Sequence, residues 1–305
     1  MMAAVSPVRF GQVVVGPPGS GKTTYCAGMA ELLRGTGRPV ALVNLDPANE
    51  TLPFAADLDL AELVTVEDVM RELRLGPNGA LLYCLEYLEK NMDWLLQRLA
   101  ALGDKYILFD FPGQVELYTH NAAVPRILRR LEKANFRLTA VNLVDSHYCS
   151  DPGKFVSVLL STLAMMLHLA LPHINVLSKI DLAEKFGKLH FGLDFYAEVM
   201  DLERLAELLD DDPFTRRYRR LTAKLTGLVE DYGLVSFVPL NVSDKATMAR
   251  VLRSVDKANG YVFGAGEERS IQTLLACAVG AEFQDDVVGA AAEQYVPTGG
   301  GMEAE

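Results

Sequence analysis

Cysteine is scarce in this chain, and what there is lies scattered. Four cysteines, at 26, 84, 149 and 277, occur with no C-x-x-C pair. Close pairs mark most zinc sites and disulfide frameworks, so the spacing favours buried, reduced thiols. Positive charge is also short: 29 Lys and Arg face 40 Asp and Glu, a formal net charge of −11. Holding the bare phosphates of nucleic acid requires a basic face, so no direct nucleic-acid partner is expected. The opening MMAAVSPVRFGQVVVG lacks the basic start, long apolar stretch and cleavage site of a secretory signal. One stretch, residues 155–178, has no Asp, Glu, Lys or Arg at all. Its length would permit a membrane span. Pro172 divides it, however, and His168, His173 and Asn175 interrupt it. A buried helix followed by a buried parallel strand explains the same letters, and no membrane partner is expected.

What is abundant is apolar residue, half of the chain, enough for a large core. Continuous apolar runs at 10–15, 38–44, 106–111, 137–144, 174–178 and 235–240 read as six strands. Helical patterns fall between most of them, at 22–34, 84–101, 122–133, 154–169 and 246–258. This alternation indicates an α/β fold of three layers, a mainly parallel sheet covered on both faces. One domain is expected over 1–283, with insertions at 47–82 and 182–234. The acidic LDDDP (209–213) and basic RRYRR (216–220) blocks in the second insertion read as solvated helix faces and caps. Residues 284–305, rich in Gly, Ala and Glu, read as a disordered tail.

The stretch GPPGSGKTT at 16–24 fits G-x-x-x-x-G-K-[ST], between an apolar strand and a helix pattern, the context this motif requires. Gly16, Gly19 and Gly21 permit a tight turn whose N–H groups, with those of Ser20 and Thr24, point at phosphate oxygens. The helix N-terminus adds favourable partial charge. Lys22 supplies a point charge to the β- and γ-phosphates, and the Thr23 hydroxyl can ligate Mg²⁺. A nucleoside triphosphate is the expected ligand.

Three further segments bear on base and chemistry. NVLSKID (175–181) ends a strand with K-x-D. A carboxylate at Asp181 can accept from both N1–H and the 2-amino group of guanine, whereas adenine would leave it unpaired. The Lys179 stem can lie over the ring, and Ser178 stands where GTPases usually carry Asn or Thr. LFDFPGQVE (108–116) places Asp110 at a strand end, able to hold Mg²⁺ directly or through water. Gly113 N–H could sense the γ-phosphate, Gln114 could orient the attacking water, and Glu116 could support it. VNLDPANE (43–50) offers Asp46 to metal or water, or else a plain turn with Asn49 as a helix cap. A P-loop kinase using ATP is the rival reading of the phosphate loop, with RRYRR imitating an arginine lid; a nearly inactive GTP-dependent assembly factor is another. Finally, Gly76-Pro77-Asn78 has the letters of an ordinary turn.

These segments together resemble the GPN-loop GTPase family, named for that tripeptide. The match covers 16–24, LDPA (45–48), GPNG (76–79), DFPGQVE (110–116) and SKID (178–181), in the expected order. Among eukaryotic paralogues GPPGSGKTTYC, NLDPANE and LVDSHYC are most similar to the second type. The resemblance implies GTP and GDP with Mg²⁺ as cofactors, and a homodimer or a heterodimer with a paralogue. It implies that Gly76, Pro77 and Asn78 reach across to the partner's γ-phosphate. It further implies a cytoplasmic protein, with possible shuttling to the nucleus, that serves RNA polymerase II assembly and import.

Overall fold

The computed structural model describes residues 7–49, 51–186, 189–209 and 216–261. The expected tail at 284–305, the acidic block from 210 onwards and Cys277 lie outside these. Cys26, Cys84 and Cys149 are buried free thiols.

Seven strands form one all-parallel sheet in the order β3-β2-β4-β1-β5-β6-β7. They are β1 (Arg9–Val15), β2 (Val40–Asn44), β3 (Leu58–Asp59), β4 (Tyr106–Asp110), β5 (Phe136–Asp145), β6 (His173–Ser178) and β7 (Phe237–Leu240). The six expected strands appear within a residue or two. Because successive side chains point to opposite faces, each strand feeds two cores. Val13, Val15, Ile107 and Phe109 face one side; Val14, Leu42, Leu108 and Val141 face the other. On the first side lie α3 (Pro77–Lys90), α4 (Met92–Ala101), the short α5 (Glu116–Thr119), α6 (Ala123–Lys133) and α7 (Pro152–Leu169). Helix α1 (Lys22–Gly35) and the helix Lys245–Asn259 cover the second. Parallel strands buried on both faces must read as unbroken apolar runs, which is how they were legible.

Helix α7 is apolar and long enough by composition to cross a membrane. In the fold it packs Phe155, Leu159, Leu163 and Leu169 against the core. Its start is fixed by Asp151, whose carboxylate accepts from Gly153 and Lys154 N–H, with Pro152 in the first turn.

The region 47–82 departs most from expectation. It contains β3, a helix α2 (Val66–Leu73) capped by Thr65, and the start of α3. Gly76-Pro77-Asn78 is not a chain-reversing turn. Gly76 is an extended N-cap and Pro77 opens α3, a position where its missing N–H costs nothing. The single helix expected over 84–101 is two, broken at Asn91, whose side chain donates to Tyr87 O at 2.8 Å. The region 182–234 supplies short helices at Ala183–Phe186, Leu193–Glu198 and Glu203–Leu208, then a longer one at Arg219–Tyr232. Residues 216–220 are exposed, as a solvated basic face should be.

His173, at the start of β6, has both ring nitrogens buried without a hydrogen-bond partner among the described residues. Burial pushes its pKa down to about 4, with a small opposing pull from the Leu171 backbone. The unfolded chain takes up this proton near pH 6.5 and the fold only near 4, so between those values the unfolded state binds more protons. Stability from His173 is therefore complete above pH 6.5 and lost as pH falls towards 4, by up to about 3 kcal/mol. Urea unfolding from pH 7.5 to 4.5 should show this acid limb, and His173→Leu should flatten it.

Candidate nucleotide site at the carboxyl ends of the strands

Parallel pairing brings the loops after β1, β2, β4, β5 and β6 to one edge of the sheet. In register, Asp110 lies beside both Val14 and Asn44, and Asp145 beside Ser178. Ligands of open α/β sheets bind at this edge.

The phosphate loop is built by necessity. Gly16, at φ 140°, passes so close to Leu143 that a Cβ would stand 2.3 Å from its carbonyl oxygen. Gly19 and Gly21 also have positive φ, and Gly21 is the N-cap of α1. The loop opens onto a cavity of about 470 Å³ whose walls include Gly19, Lys22, Thr23, Thr24, Asp46 and Gly113. A neighbouring, more apolar cavity of about 500 Å³ lies beside Pro17, Val115 and Val144, without the loop's glycines. Phosphate chemistry belongs to the first.

Lys22 is nearly buried and donates to Pro17 O at 3.1 Å. Burial lowers its pKa, and the charges of Asp110 and Asp46 oppose that fall. Both oxygens of Asp110 are buried without an aligned donor among the described residues. Burial raises the Asp110 carboxyl to about 6; the nearby Thr23 hydroxyl and Lys22 charge pull it down, and Asp46 adds to the rise. Asp46 is also raised, chiefly by burial, against the Ala48 N–H that its Oδ1 accepts and the Lys22 charge. A buried carboxylate kept from its donors is costly. Asp110 in that state, with the half-buried Asp46 and the Thr23 hydroxyl nearby, suits a hard divalent cation, which takes one or two carboxylates and completes its shell with phosphates and water. Among the described residues no cluster of three or more His, Cys, Asp or Glu side chains could hold a metal alone.

Gly113 stands against the phosphate loop: a Cβ there would lie 2.9 Å from Lys22 Nζ and 3.0 Å from Pro18 Cα. Its loop is held from below by Tyr118, whose hydroxyl donates to Pro112 O. Gln114 lines the phosphate cavity and also a third one of about 350 Å³. Asn78 and Glu116 line the third and not the first, together with Leu81, Leu117 and His120. Glu116 therefore faces the GPN side rather than the phosphates. Ser20 tucks inward, its Oγ buried without a partner among the described residues and its carbonyl accepting from Ser178. Lys179 lines the phosphate cavity, donating to Gly19 O at 2.6 Å. Asp181 follows it in a short 3-10 turn, exposed and outside the cavity wall.

Asn49 was the least legible member. It caps no helix; its Nδ2 donates to Thr23 Oγ1 at 3.2 Å and it lines the cavity. Asp46 closes its own turn by accepting from Ala48 N–H, and its charge also acts on Lys22.

Sheet order, glycine-built loop and the buried Asp110 carboxylate together define a P-loop nucleoside triphosphatase. A family profile described as "Conserved hypothetical ATP binding protein" matches residues 14–261. GPN-loop GTPase 2 of Danio rerio is 60% identical over 297 residues, 97% of this chain and 96% of that one. GPN-loop GTPase QQT1 of Arabidopsis thaliana is 52% identical, covering 94% and 97%. Among solved structures, a GTPase in apo form from Pyrococcus abyssi superposes with a TM-score of 0.66 at 25% identity, over 83% of this chain and 98% of that one. The chain belongs to the GPN-loop GTPase family.

Proposed function

We propose that this GTPase is a Mg²⁺-dependent switch in which two subunits complete each other's sites. The observation that carries the reading is Asp110, whose two carboxylate oxygens are buried without an aligned donor among the described residues, with Lys22, Thr23 and the half-buried Asp46 around it. Thr23, Asp110 and Asp46 would hold Mg²⁺, which neutralises charge developing on the phosphates. Lys22, released from Pro17 O, meets the β- and γ-phosphates. Gln114 orients water for attack, and Gly113 N–H reports the γ-phosphate. Asp181 pairs with the guanine edge.

Support for a dimer is of two kinds. Gly76, Pro77 and Asn78 are all exposed, while Asn78 shares a cavity with Gln114. The surrounding α2–α3 surface also exposes Met70, Leu73, Leu75 and Tyr87, an apolar patch of the sort that marks interfaces. The subunit could pair with its own copy or with a paralogue. From the family resemblance, the clients are RNA polymerase II subunits or their assembly factors, met in the cytoplasm and followed into the nucleus.

GTP hydrolysis per subunit, followed across a wide protein-concentration series, tests completion of the site in trans. Activity should rise with concentration, and Asn78→Ala should lose that rise while still binding GTP. A flat rate unaffected by Asn78→Ala would leave a self-sufficient monomer.

A further inference from the structure

The segment LVDSHYC (143–149) has no role in the site described above, yet its one acidic residue, Asp145, binds a lysine that lines the nucleotide cavity. Asp145 ends β5 in register with Ser178 at the end of β6. Its Oδ2 accepts a charge-assisted hydrogen bond of 2.7 Å from Lys179 Nζ, and its Oδ1 accepts from His147 N–H at 2.9 Å. Ser146 Oγ donates to the Lys179 carbonyl at 2.8 Å. The Ser178 hydroxyl is shared between Ser20 O at 2.8 Å and Val144 O at 3.1 Å. Loops from β1, β5 and β6 are thus laced at one point.

Lys179 requires this support. Its backbone is left-handed, at φ 58°, a conformation unfavourable for a residue with a Cβ. Its stem passes Gly21, where an added Cβ would meet Lys179 Cε at 4.0 Å. Among the described residues its ammonium has two hydrogen-bond acceptors, the Gly19 backbone carbonyl and the Asp145 carboxylate. A triphosphate in the adjoining cavity would attract that ammonium strongly where water is excluded. Among the described residues Asp145 is the one carboxylate that forms an ion pair with it.

We propose that Asp145 is a positioning residue for guanine recognition. Through Lys179 it keeps the lysine stem where the base ring lies and fixes the turn that presents Asp181. Lys22 is then the phosphate lysine and Lys179 the base lysine, a division of labour that Asp145 enforces. This rests on the guanine-nucleotide reading above.

The test is a double-mutant cycle on the full chain, with GDP and ADP affinities measured by calorimetry. Asp145→Asn keeps an acceptor for His147 N–H, so the nucleotide-free melting temperature should hold. Asp145→Asn and Lys179→Met should each weaken GDP binding about tenfold, the scale of one charge-assisted hydrogen bond. The double variant should be no weaker than Lys179→Met alone, and the GDP-over-ADP preference should fall in all three. Wild-type GDP affinity in Asp145→Asn, or penalties that multiply to about a hundredfold, would overturn the proposal. If Asn lowers the melting temperature, Asp145→Glu, which retains the charge, should restore part of the GDP preference; no recovery would count against the proposal. A wild-type protein without preference for GDP over ADP would defeat the guanine reading itself, before any variant is made.

Discussion

Replacing Gly113 by alanine is expected to slow GTP turnover about a hundredfold while GDP binding stays close to wild type. The added methyl would stand 2.9 Å from Lys22 Nζ and 3.0 Å from the Pro18 backbone nitrogen and Cα. The lysine tip can swing away, but the Pro18 backbone belongs to the phosphate loop and cannot yield without moving Gly19. The loop carrying Gln114 must retreat instead. A displacement near 1 Å at the attacking water is enough for a loss of this size. GDP lacks the γ-phosphate that Gly113 is proposed to sense, so its affinity should change little. Single-turnover hydrolysis beside a GDP titration separates the two effects. Equal losses in both would show that Gly113 shapes the whole site rather than the γ-phosphate position.

The second large effect concerns stability, far from the phosphates. Arg38 and Asp256 form a bidentate pair, at 2.9 and 2.8 Å, with both side chains 1% exposed. The guanidinium also lies 3.9 Å from the Tyr261 ring centroid and 5.0 Å from that of Tyr106. Tyr106 accepts from Gln12 and Asn259, and Tyr25 donates to Gln12. The pair thus ties the chain entering β2 to the helix Lys245–Asn259 across a buried polar layer. Arg38→Ala would leave the Asp256 carboxylate buried beside an apolar gap, with an expected cost of about 3–5 kcal/mol in urea unfolding. Arg38→Met with Asp256→Leu should cost less than the single change, because no charge is then stranded. A loss under about 1 kcal/mol for Arg38→Ala would place the pair with ordinary surface bridges.

The strands could be read in advance because burial on both faces demands apolar runs, as in Val13–Val15 and Ile107–Phe109. β3 could not. It is two residues long, Leu58–Asp59, and depends on the neighbouring Asp57 carboxylate accepting from Leu42 N–H fifteen residues away. The Gly76-Pro77-Asn78 letters suit a turn and a helix start equally, since proline presets the same φ for both. The apolar periodicity from Leu81 to Leu88 decides for the helix. TVED at 65–68 carries a local capping signal that marks α2, with Thr65 accepting from Asp68 N–H.

In the site, the phosphate loop and Asp110 were legible because strand, loop and helix are contiguous there. Asn49 was not, since its bond to Thr23 joins residues 26 apart in sequence. Asp145 was hidden for the same reason, 34 residues from the lysine it holds. Neither partnership has a local pattern; the parallel sheet alone brings these strand ends together.

The most direct trial is hydrolysis of GTP, ATP and xanthosine triphosphate by wild type and Asp181→Asn, with Mg²⁺ and with the metal chelated. Wild type should consume GTP, not ATP, and only with the metal, while Asp181→Asn should turn its preference to the xanthosine nucleotide. ATP consumed as readily as GTP, or a guanine preference untouched by Asp181→Asn, would contradict a guanine-reading, metal-dependent site and point to a P-loop enzyme of the ATP-using kind.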